Sequence, residues 1–406
     1  RVRSVSRGLG DVYKRQILAF KVYGNPQRKV CIEMKNKILI LTSSTGNGHN
    51  QAAEATKMIL ENEHNDVTIY DFFKTDKFMN AFIVDGYEVY ANKLSALYGV
   101  AYRMSDKKFI VPATEVFFHT VRKKVLNYIN SIKPDLIIST HPLAINILCR
   151  LKRDNLISIP IVSIVTDFKA HYTYIGQEID LYIVANECTK ESLIERGIKP
   201  SKIQILGIPV KSDFYKNSHD DIDLTNKKNM SILLMGGGMG MDNMSSVLEK
   251  IVHNPNPLDI IVVCGNNNKL KEHLTSRYSN HYHNKTLTIL GYTSKVASIM
   301  FNCDLLITKP GGLTTSEAVV SNIPMMIPFT IPGQETDNRD FLVEKKCAVY
   351  INNLNKLNSE INKLIENPKL LTELKNNMKN LSLSYCPDKL YDLCMNLINE
   401  DKVKNK

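Results

Sequence analysis

Short runs of Ile, Leu and Val alternate with helical stretches along most of this 406-residue chain. The runs lack the polar alternation of a half-exposed strand, so they indicate strands that are buried on both faces. Strands that alternate with helices predict βαβ units and parallel sheets. Two series of such strands are present, at 37–41, 67–70, 136–139, 161–165, 181–184 and 203–206, and then at 231–235, 259–263, 287–290, 305–308, 325–327 and 348–351.

A polar segment at 211–229 separates the two series and is the best candidate for a linker. The chain is also too long for one typical hydrophobic core. We therefore predict an α/β protein with two Rossmann-like doubly wound domains, at 34–210 and 230–385.

The two ends of the chain need separate interpretations. Residues 1–16 have no helical or strand periodicity, residues 1–33 carry eight basic and two acidic residues, and Met34 directly precedes the first predicted strand. We interpret 1–33 as a non-native or disordered extension, with a basic membrane-attracting arm as the alternative. The tail at 386–406 is predicted to be a helix that packs back across the domain junction, because its leucines and Cys394 fall on one face.

The segment 72–130, between the second and third predicted strands, is too long for an ordinary crossover. It holds twelve Phe or Tyr residues, and 72–125 carries nine basic against five acidic residues. Aromatic rings can enter the acyl boundary of a membrane while cations meet lipid phosphates, so we predict a membrane-contacting insertion. The alternative is an extra helical layer with buried aromatics. No run of 18 apolar residues occurs, so any membrane contact is predicted to be peripheral.

The net charge restricts the kinds of partner that we expect, and the cysteine spacing restricts the cellular compartment. The net charge of +11 suits a protein that touches anionic lipid or phosphate. No zinc-finger spacing occurs, and no basic arm of the kind that binds nucleic acid, so we expect no nucleic-acid partner. The eight cysteines are scattered without a CxxC pair, which predicts reduced thiols in the cytoplasm.

The first candidate motif is TGNGH at 45–49, where a predicted strand runs into a helix. Gly46 and Gly48 let the backbone approach a ligand closely, and the start of the helix, with Asn47, offers free N–H groups. His49 is a natural general base for a hydroxyl, because its ordinary pKa is about 6.5. The alternative is a glycine turn in which His49 caps the helix or faces solvent.

The second motif is GGGMG at 236–240, after the first strand of the second series. It lacks the Gly-Lys-Ser/Thr ending of a P-loop and is not the usual dinucleotide fingerprint. Backbone N–H groups at Gly237, Gly238 and Gly240 suit contact with a diphosphate, and a tight structural turn is the alternative.

The third motif is KPGGLTTSEA at 309–318. Gly311 and Gly312 permit close approach, and we expect Thr314 or Thr315 to cap the following helix and bind phosphate oxygens. Glu317 is then expected in the first helical turn, where a carboxylate can accept both hydroxyls of a ribose. The alternative is a capping glutamate.

The fourth motif is IPGQE at 331–335, which follows the next strand and opens the next helix. Gln334 and Glu335 can hydrogen-bond sugar hydroxyls, and a Pro-rich loop is the alternative. All four motifs lie at the carboxyl ends of predicted parallel strands, which is where doubly wound sheets bind ligands.

With TDF at 166–168 and His171, these motifs resemble the monogalactosyldiacylglycerol synthase and processive diacylglycerol glucosyltransferase family. The resemblance covers roughly 37–380. The family is related to the bacterial N-acetylglucosaminyltransferase that forms lipid II, and it has the two-domain GT-B fold.

The resemblance implies a lipid-acceptor domain first and a UDP-sugar domain second. It implies that His49 is the catalytic base. It also implies that Asp167 and His171 lie where the acceptor enters, and Asp167 is expected to take part in catalysis. The implied substrate-binding residues on the acceptor side are Gly46, Asn47 and Gly48. On the donor side, the residues implied to bind the diphosphate are Gly237, Gly238, Gly240, Gly311, Gly312 and Thr314. Glu317 is implied to bind the ribose, and Tyr292, which is expected to open a helix with Gly291, is implied to line the uracil. Gln334 and Glu335 are implied to face the hexose.

The implied reaction is inverting transfer of glucose or galactose from a UDP-sugar to the sn-3 hydroxyl of diacylglycerol, at the inner face of a bacterial cell membrane. No cofactor and no metal are expected. Asp221-Ile222-Asp223 matches the DxD metal motif of other transferases, but it follows no predicted strand and is interpreted as solvated linker.

Two departures from the family pattern leave acceptor and sugar preference open. Tyr174 stands where several relatives have Trp, and 235–241 is rich in Met. The alternatives are a peptidoglycan-type N-acetylglucosaminyltransferase, a UDP-N-acetylglucosamine 2-epimerase, and a catalytically silent membrane-associated sensor of UDP-sugars. Processivity and oligomeric state stay open.

Overall fold

Two parallel six-stranded sheets organise the protein in a computed structural model. The prediction of two doubly wound α/β domains is confirmed. The structure describes residues 35–44, 47–72, 113–215, 229–236, 243–278 and 284–404.

The first sheet has the strand order β2-β1-β3-β4-β5-β6. Leu39 and Leu41 pack into the core on one face of β1, and Ile38 and Ile40 pack into the core on the other. Burial on both faces explains why these strands are continuous apolar runs. The elements are β1 (Asn36–Thr42), α1 (Asn47–Leu60), β2 (Asn65–Asp71), α2 (Ala113–Ile132), β3 (Leu136–Ser139), α3 (Pro142–Arg153), β4 (Ile161–Ile164), β5 (Leu181–Val184), α4 (Glu187–Glu195) and β6 (Ile203–Ile205).

The second sheet has the order β12-β11-β10-β7-β8-β9. Three helices, α10 to α12, follow its last strand. The elements are β7 (Met230–Met235), α5 (Asn243–Val252), β8 (Leu258–Val263), α6 (Asn268–Arg277), β9 (Lys285–Leu290), α7 (Val296–Asn302), β10 (Leu305–Ile307), α8 (Gly312–Val320), β11 (Met325–Ile327), α9 (Gln334–Glu344), β12 (Ala348–Tyr350), α10 (Leu357–Glu366), α11 (Pro368–Ser382) and α12 (Pro387–Lys404).

Each sheet has one point where the strand order reverses, between β1 and β3 in the first and between β7 and β10 in the second. Ligands of doubly wound sheets bind outside the carboxyl ends of the strands at such points. The chain segments that leave these four strands carry the first three motifs and the pair Thr140-His141.

Helix α12 returns to the first sheet. Its Leu390, Cys394 and Ile398 are buried in the same core as Ile38 and Ile40. The predicted apolar face is partly right, because Leu393 and Leu397 are only partly buried.

The segment before α12 lies against the first domain at Gly207. A Cβ atom at Gly207 would lie 2.3 Å from the ring of Tyr385, and the φ of +78° also requires glycine there. The Tyr385 hydroxyl donates to Ser316 Oγ of α8 at 3.1 Å.

Helix α2 covers the last part of the predicted insertion at 72–130. Its Val121, Val125 and Ile129 are buried in the first-domain core. Residues 73–112 lie outside the described residues, as do 1–34 and the stretch 216–228 with the DxD sequence. Among the described helices, none is long and apolar enough to cross a bilayer. The seven cysteines in the described ranges are free thiols.

Candidate active site

A hydrogen-bonded network fixes the start of α1 against the end of the first strand. Thr42 Oγ1 donates to Asn50 Oδ1 at 2.9 Å, and Asn50 Nδ2 donates to Ser44 Oγ at 3.0 Å. Ser44 in turn donates to the carboxylate of Asp71 at the end of β2. This network places the TGNGH segment at the edge where the sheet order reverses. Gly46 lies outside the described residues, Asn47 begins α1 although its side chain is not described, and Gly48 follows it.

His49 is held in one tautomer. Its Nδ1 lies 2.8 Å from the carbonyl oxygen of Thr140 and 2.9 Å from Thr166 Oγ1. A carbonyl only accepts, so Nδ1 carries the proton and Nε2 is the unprotonated nitrogen. Burial lowers the pKa of His49 to about 4, and the bond to Thr140 opposes that shift. The ring is therefore neutral at pH 7 and can accept a proton at Nε2.

A second histidine lies beside the first. The rings of His49 and His141 are edge to face, with centroids 4.5 Å apart. His141 Nδ1 accepts from the backbone N–H of Leu143 and so caps α3. Burial, and then the charge of His49, hold the pKa of His141 well below its ordinary value. Both rings are neutral at physiological pH.

Asp167 is buried directly after Thr166 in the TDF segment. Thr166 Oγ1 lies 2.9 Å from the hydroxyl of Tyr174. Burial raises the pKa of Asp167 to about 7, the nearby Tyr174 hydroxyl lowers it, and the charge of Asp337 raises it. Asp167 Oδ1 is buried and has no hydrogen-bond partner among the described residues.

His171 has a clear local role. Its Nδ1 accepts from Thr173 N–H at 3.2 Å and contacts Thr173 Oγ1 at 2.8 Å, which caps the single 3₁₀ turn Tyr172–Tyr174. The side chain is buried and stabilises the loop that carries Tyr174. Its predicted place at the acceptor entrance stays a prediction.

The start of α8 differs from the expectation. The helix begins at Gly312 with Gly311 as its N-cap, and no side chain caps it. The prediction that Thr314 or Thr315 caps the helix is wrong, because the helix begins two residues before Thr314. Glu317 accordingly lies in the second turn rather than the first. The uncapped first turn leaves backbone N–H groups for an anion.

Glu317 is almost fully buried, with 8% of its surface exposed. Burial raises its pKa to about 8, and the charge of Lys211 opposes the shift. Without a ligand the carboxyl is mainly protonated at pH 7. The hydroxyls of Thr308, directly after β10, and Thr315, in the first part of α8, are buried without a hydrogen-bond partner among the described residues.

The IPGQE motif is tied to the KPGG motif through Glu335. Its Oε1 lies 2.8 Å from Lys309 Nζ, and its Oε2 accepts from the backbone N–H of Ile331 at 2.9 Å. Gly333 caps α9 with a φ of +111°, which only glycine adopts readily, and Gln334 is the first helical residue. Glu335 thus shapes both loops, and the contacts of Gln334 and Glu335 with a hexose stay predictions.

Tyr292 lies in the turn after the edge strand β9, with 70% of its surface exposed. Helix α7 begins four residues later, at Val296, so the expectation that Gly291 and Tyr292 open a helix is wrong. The exposed ring can stack on a base. Gly237, Gly238 and Gly240 lie outside the described residues.

Helices α1 and α8 meet at their N-terminal ends. A Cβ atom at Gly48 would lie 3.9 Å from Leu313 Cβ, and one at Gly312 would lie 2.0 Å from the carbonyl oxygen of Thr166. The junction is part of one apolar core that includes Ala52, Phe168 and Ile208 from the first domain and residues of the second. Two positive helix ends therefore converge where His49 lies.

Asn338 links the two domains directly. Its Oδ1 accepts from the backbone N–H of Phe168 at 3.1 Å, and its Nδ2 donates to the carbonyl of Pro310 at 2.9 Å. The side chain is fully buried, and the ring centroids of Phe168 and Phe341 are 5.4 Å apart beside it. One residue of α9 thus holds the TDF loop and the KPGG loop in register.

We expect Asn338→Leu to reduce both stability and transfer. The change leaves a buried N–H at Phe168 and a buried carbonyl at Pro310 unpaired, at a cost of roughly 1–3 kcal/mol for each group. Urea unfolding and steady-state kinetics measure the two effects. Asn377→Leu on α11 is the control, because its side chain bonds Lys346 O at an exposed position. An unfolding free energy equal to that of the control would contradict this role.

The two halves of the chain match two family models. The model described as Monogalactosyldiacylglycerol (MGDG) synthase matches residues 49–210, and the Glycosyltransferase family 28 C-terminal domain matches 231–386. A processive diacylglycerol beta-glucosyltransferase from Bacillus cereus strain G9842 is 30% identical over 358 residues, which cover 86% of this chain and 90% of that protein. The chain belongs to the monogalactosyldiacylglycerol synthase and processive diacylglycerol glucosyltransferase family. The Bacillus subtilis relative with the same name is 26% identical over 86% of this chain and 92% of its own length.

Solved structures agree with the GT-B fold of this glycosyltransferase family. MurG of Acinetobacter baumannii superposes with a TM-score of 0.61 at 16% identity, over 89% of this chain and 99% of that one. Anabaena HepE in complex with UDP and glucose superposes with a TM-score of 0.52 at 16% identity, over 90% of this chain and 100% of that one. This protein is a UDP-sugar-dependent glycosyltransferase. Among the described residues no group of three His, Cys, Asp or Glu side chains could hold a metal ion, and the expectation of metal-free transfer stays a prediction.

Several site residues were not singled out from the sequence. Thr140 and His141 follow β3 as polar residues after an apolar strand, so the rule that found the four motifs could also have found them. The sequence marks Tyr174 only as a departure from the family pattern. Asn338 lies inside an ordinary helical stretch and had no local signal.

Proposed function

We propose that this glycosyltransferase moves glucose from UDP-glucose to the sn-3 hydroxyl of diacylglycerol, with inversion at the anomeric carbon. The observation that carries the proposal is the position of His49. Its Nδ1 is committed to the Thr140 carbonyl, which leaves Nε2 as a proton acceptor beside the uncapped start of α8. The curated relatives are named as diacylglycerol beta-glucosyltransferases, which supports both the acceptor and the sugar.

In the proposed step the acceptor oxygen attacks the anomeric carbon and its proton passes to His49 Nε2. The bond from that carbon to the diphosphate breaks, and UDP leaves with the electron pair. Backbone N–H groups at the start of α8 stabilise the charge that develops on the diphosphate. A β-linked product from an α-linked UDP-sugar requires inversion, and the name of the relatives specifies a β-linkage.

We also propose that transfer takes place with the protein bound peripherally to the inner face of the cell membrane. A diacylglycerol acceptor lies within a bilayer. Lys123 and Lys124 are exposed on α2, at the end of the aromatic and basic segment 72–130. Such cations are attracted to anionic lipid headgroups.

The proposal is tested with the full chain, liposomes that contain diacylglycerol, and a panel of UDP-sugars, with the lipids analysed by mass spectrometry. Hexosyl-diacylglycerol formed with UDP-glucose is the expected product, and the number of hexoses reports processivity. UDP binding without any glycolipid would overturn the acceptor assignment. Interconversion of UDP-N-acetylglucosamine without an acceptor would instead indicate an epimerase.

Glu317 provides a prediction that depends on pH. Its pKa is about 8 in the folded protein against 4.5 as the ordinary value, so its contribution to stability is complete below pH 4.5 and is lost as pH rises through 8. Ribose hydroxyls of UDP would donate to the carboxylate and reverse that loss. We expect Glu317→Gln to weaken UDP binding about tenfold at pH 8 and to flatten the pH dependence of Tm.

The measurements are calorimetric titration with UDP and thermal unfolding between pH 5 and 9. Glu344→Gln is the matched control, since it makes the same chemical change at an exposed position of α9. Equal UDP affinity in Glu317→Gln and wild type at pH 8 would contradict the ribose assignment.

A further inference from the structure

We propose that Thr166 positions the ring of His49 against the start of α8, and that Tyr174 holds the Thr166 hydroxyl in place for this purpose. Thr166 and Tyr174 are positioning residues, which act through His49 and need not touch the substrate. The inference rests on the proposed function, because it takes His49 as the base.

The side chain of Thr166 makes two hydrogen bonds through one oxygen. Thr166 Oγ1 lies 2.9 Å from His49 Nδ1 and 2.9 Å from the Tyr174 hydroxyl. Nδ1 carries its proton because it also faces the Thr140 carbonyl, so Thr166 Oγ1 accepts from that same N–H. In the contact with Tyr174 either oxygen can donate. One hydroxyl group therefore joins the ring of His49 to Tyr174.

The Nδ1–H of His49 is shared between two acceptors, and this fixes the plane of the ring. A bond to the Thr140 carbonyl alone would let the ring rotate about the line between the two atoms. Thr166 supplies an acceptor from a second strand, because it follows β4 whereas Thr140 follows β3. Held from two strand ends, Nε2 has one position. That precision matters, since a shift of about 1 Å between reacting groups can reduce a rate 100-fold.

The backbone of Thr166 lies against α8. A Cβ atom at Gly312, the first residue of that helix, would lie 2.0 Å from the Thr166 carbonyl oxygen. The first turn of α8 has no side-chain cap, and its N–H groups stabilise the leaving diphosphate in the proposed step. Thr166 thus contacts His49 with its side chain and α8 with its main chain. It sets the distance between the base and the helix.

Tyr174 has a fixed place in the core of the first domain. Its side chain is 1% exposed and belongs to the same apolar cluster as Tyr182. The Tyr182 hydroxyl donates to the Tyr174 carbonyl at 3.0 Å and accepts from the Gly176 N–H at 2.9 Å. A Cβ atom at Gly176 would lie 2.3 Å from Cys149 Sγ, so this loop lies directly on α3. The Tyr174 hydroxyl is therefore a rigid partner for Thr166.

The test compares Thr166→Val, Thr166→Ser and Tyr174→Phe by steady-state kinetics on the full chain, with UDP-glucose and liposomes that contain diacylglycerol. Thr166→Val removes Oγ1, and we expect kcat to fall roughly 10- to 100-fold with an unchanged KM for the UDP-sugar. Thr166→Ser keeps the hydroxyl and should restore most of the rate. Tyr174→Phe should also lower kcat, and the double variant with Thr166→Val should be no slower than Thr166→Val alone, because Tyr174 acts through that hydroxyl.

Thr189→Val is the matched control for Thr166→Val. The Thr189 hydroxyl is buried and donates to the Phe168 carbonyl at 2.8 Å, so the same chemical change loosens the same TDF segment without removing the bond to His49. We expect a lower Tm for Thr189→Val but a kcat within about twofold of the wild type. A Thr189→Val kcat as low as that of Thr166→Val would overturn the proposal, as would a Thr166→Ser variant as slow as Thr166→Val. Additive losses in the double variant would overturn the role of Tyr174.

A measurement without substrate separates this proposal from the proposed function. In the full chain labelled with ¹⁵N-histidine, NMR follows the exchange of the His49 Nδ1–H with water, and His49→Ala identifies the signal. We expect exchange at least about tenfold faster in Thr166→Val than in the wild type and in Thr166→Ser, because one of the two acceptors is lost. Equal exchange in Thr166→Val and the wild type would overturn the positioning role. If that exchange differs as expected but His49→Ala keeps full transferase activity, the base assignment fails and the contact of Thr166 with His49 stands.

Discussion

Replacing His49 with alanine is expected to reduce transfer by roughly two to four orders of magnitude while UDP binding stays within about twofold of the wild type. The variant loses the proton acceptor at Nε2, and general-base catalysis contributes about that much to a rate. The KPGG and IPGQE loops do not depend on this ring, because they are held by Lys309, Glu335 and Asn338. Turnover with diacylglycerol liposomes and calorimetry with UDP measure the two quantities.

His64→Ala is the matched control for His49→Ala. His64 is exposed in the turn before β2, so its removal makes the same chemical change away from the site. Added imidazole should restore part of the activity of His49→Ala and should leave the activity of His64→Ala unchanged. Equal losses of UDP affinity and of turnover in His49→Ala would show a collapsed site and contradict the base assignment.

Gly312→Ala is expected to lower kcat about 100-fold and to destabilise the protein by roughly 1–3 kcal/mol. The new Cβ would lie 2.0 Å from the Thr166 carbonyl oxygen and 3.1 Å from its carbonyl carbon. Overpacking of this kind has such a cost, and a shift of about 1 Å between reacting groups can reduce a rate 100-fold. The backbone of Thr166 has to move, and with it the hydroxyl beside His49.

The neighbouring glycine provides the control for stability. Among the described residues, a Cβ at Gly311 would meet only Glu335 Oε1, at the ordinary distance of 3.9 Å, and its φ of −65° suits alanine. Thermal unfolding should therefore separate the two variants, with Gly311→Ala close to wild type. A Gly312→Ala protein with the Tm and kcat of the wild type would mean that the two domains are not packed as closely as described.

The strands were the most predictable part of the fold. The predicted ranges at 136–139, 181–184 and 325–327 coincide with β3, β5 and β11. Each is an uninterrupted apolar run between polar segments, and burial on both faces allows little else. The GT-B architecture and the family followed from glycine motifs at the ends of such strands.

Helix starts and contacts between domains were less predictable. The threonines at 314 and 315 fit an N-cap by composition, but the two preceding glycines allow the helix to begin earlier. Asn338 and Tyr174 acquire their roles from residues far away in the sequence, such as Pro310 and Thr166. No local pattern marks a residue whose partner is fixed only by the packing of the two sheets.

The position of α12 determines when the core of the first domain can be completed during synthesis. Its 18 residues complete a core whose sheet was synthesised first, because Leu390, Cys394 and Ile398 are buried in the same core as Ile38 and Ile40. Domains fold as units during synthesis, with the N-terminal one usually first. Here the first sheet leaves the ribosome with part of one apolar face uncovered until the second domain and α12 have followed. The nascent first domain therefore exposes apolar surface during translation, until α12 packs onto it.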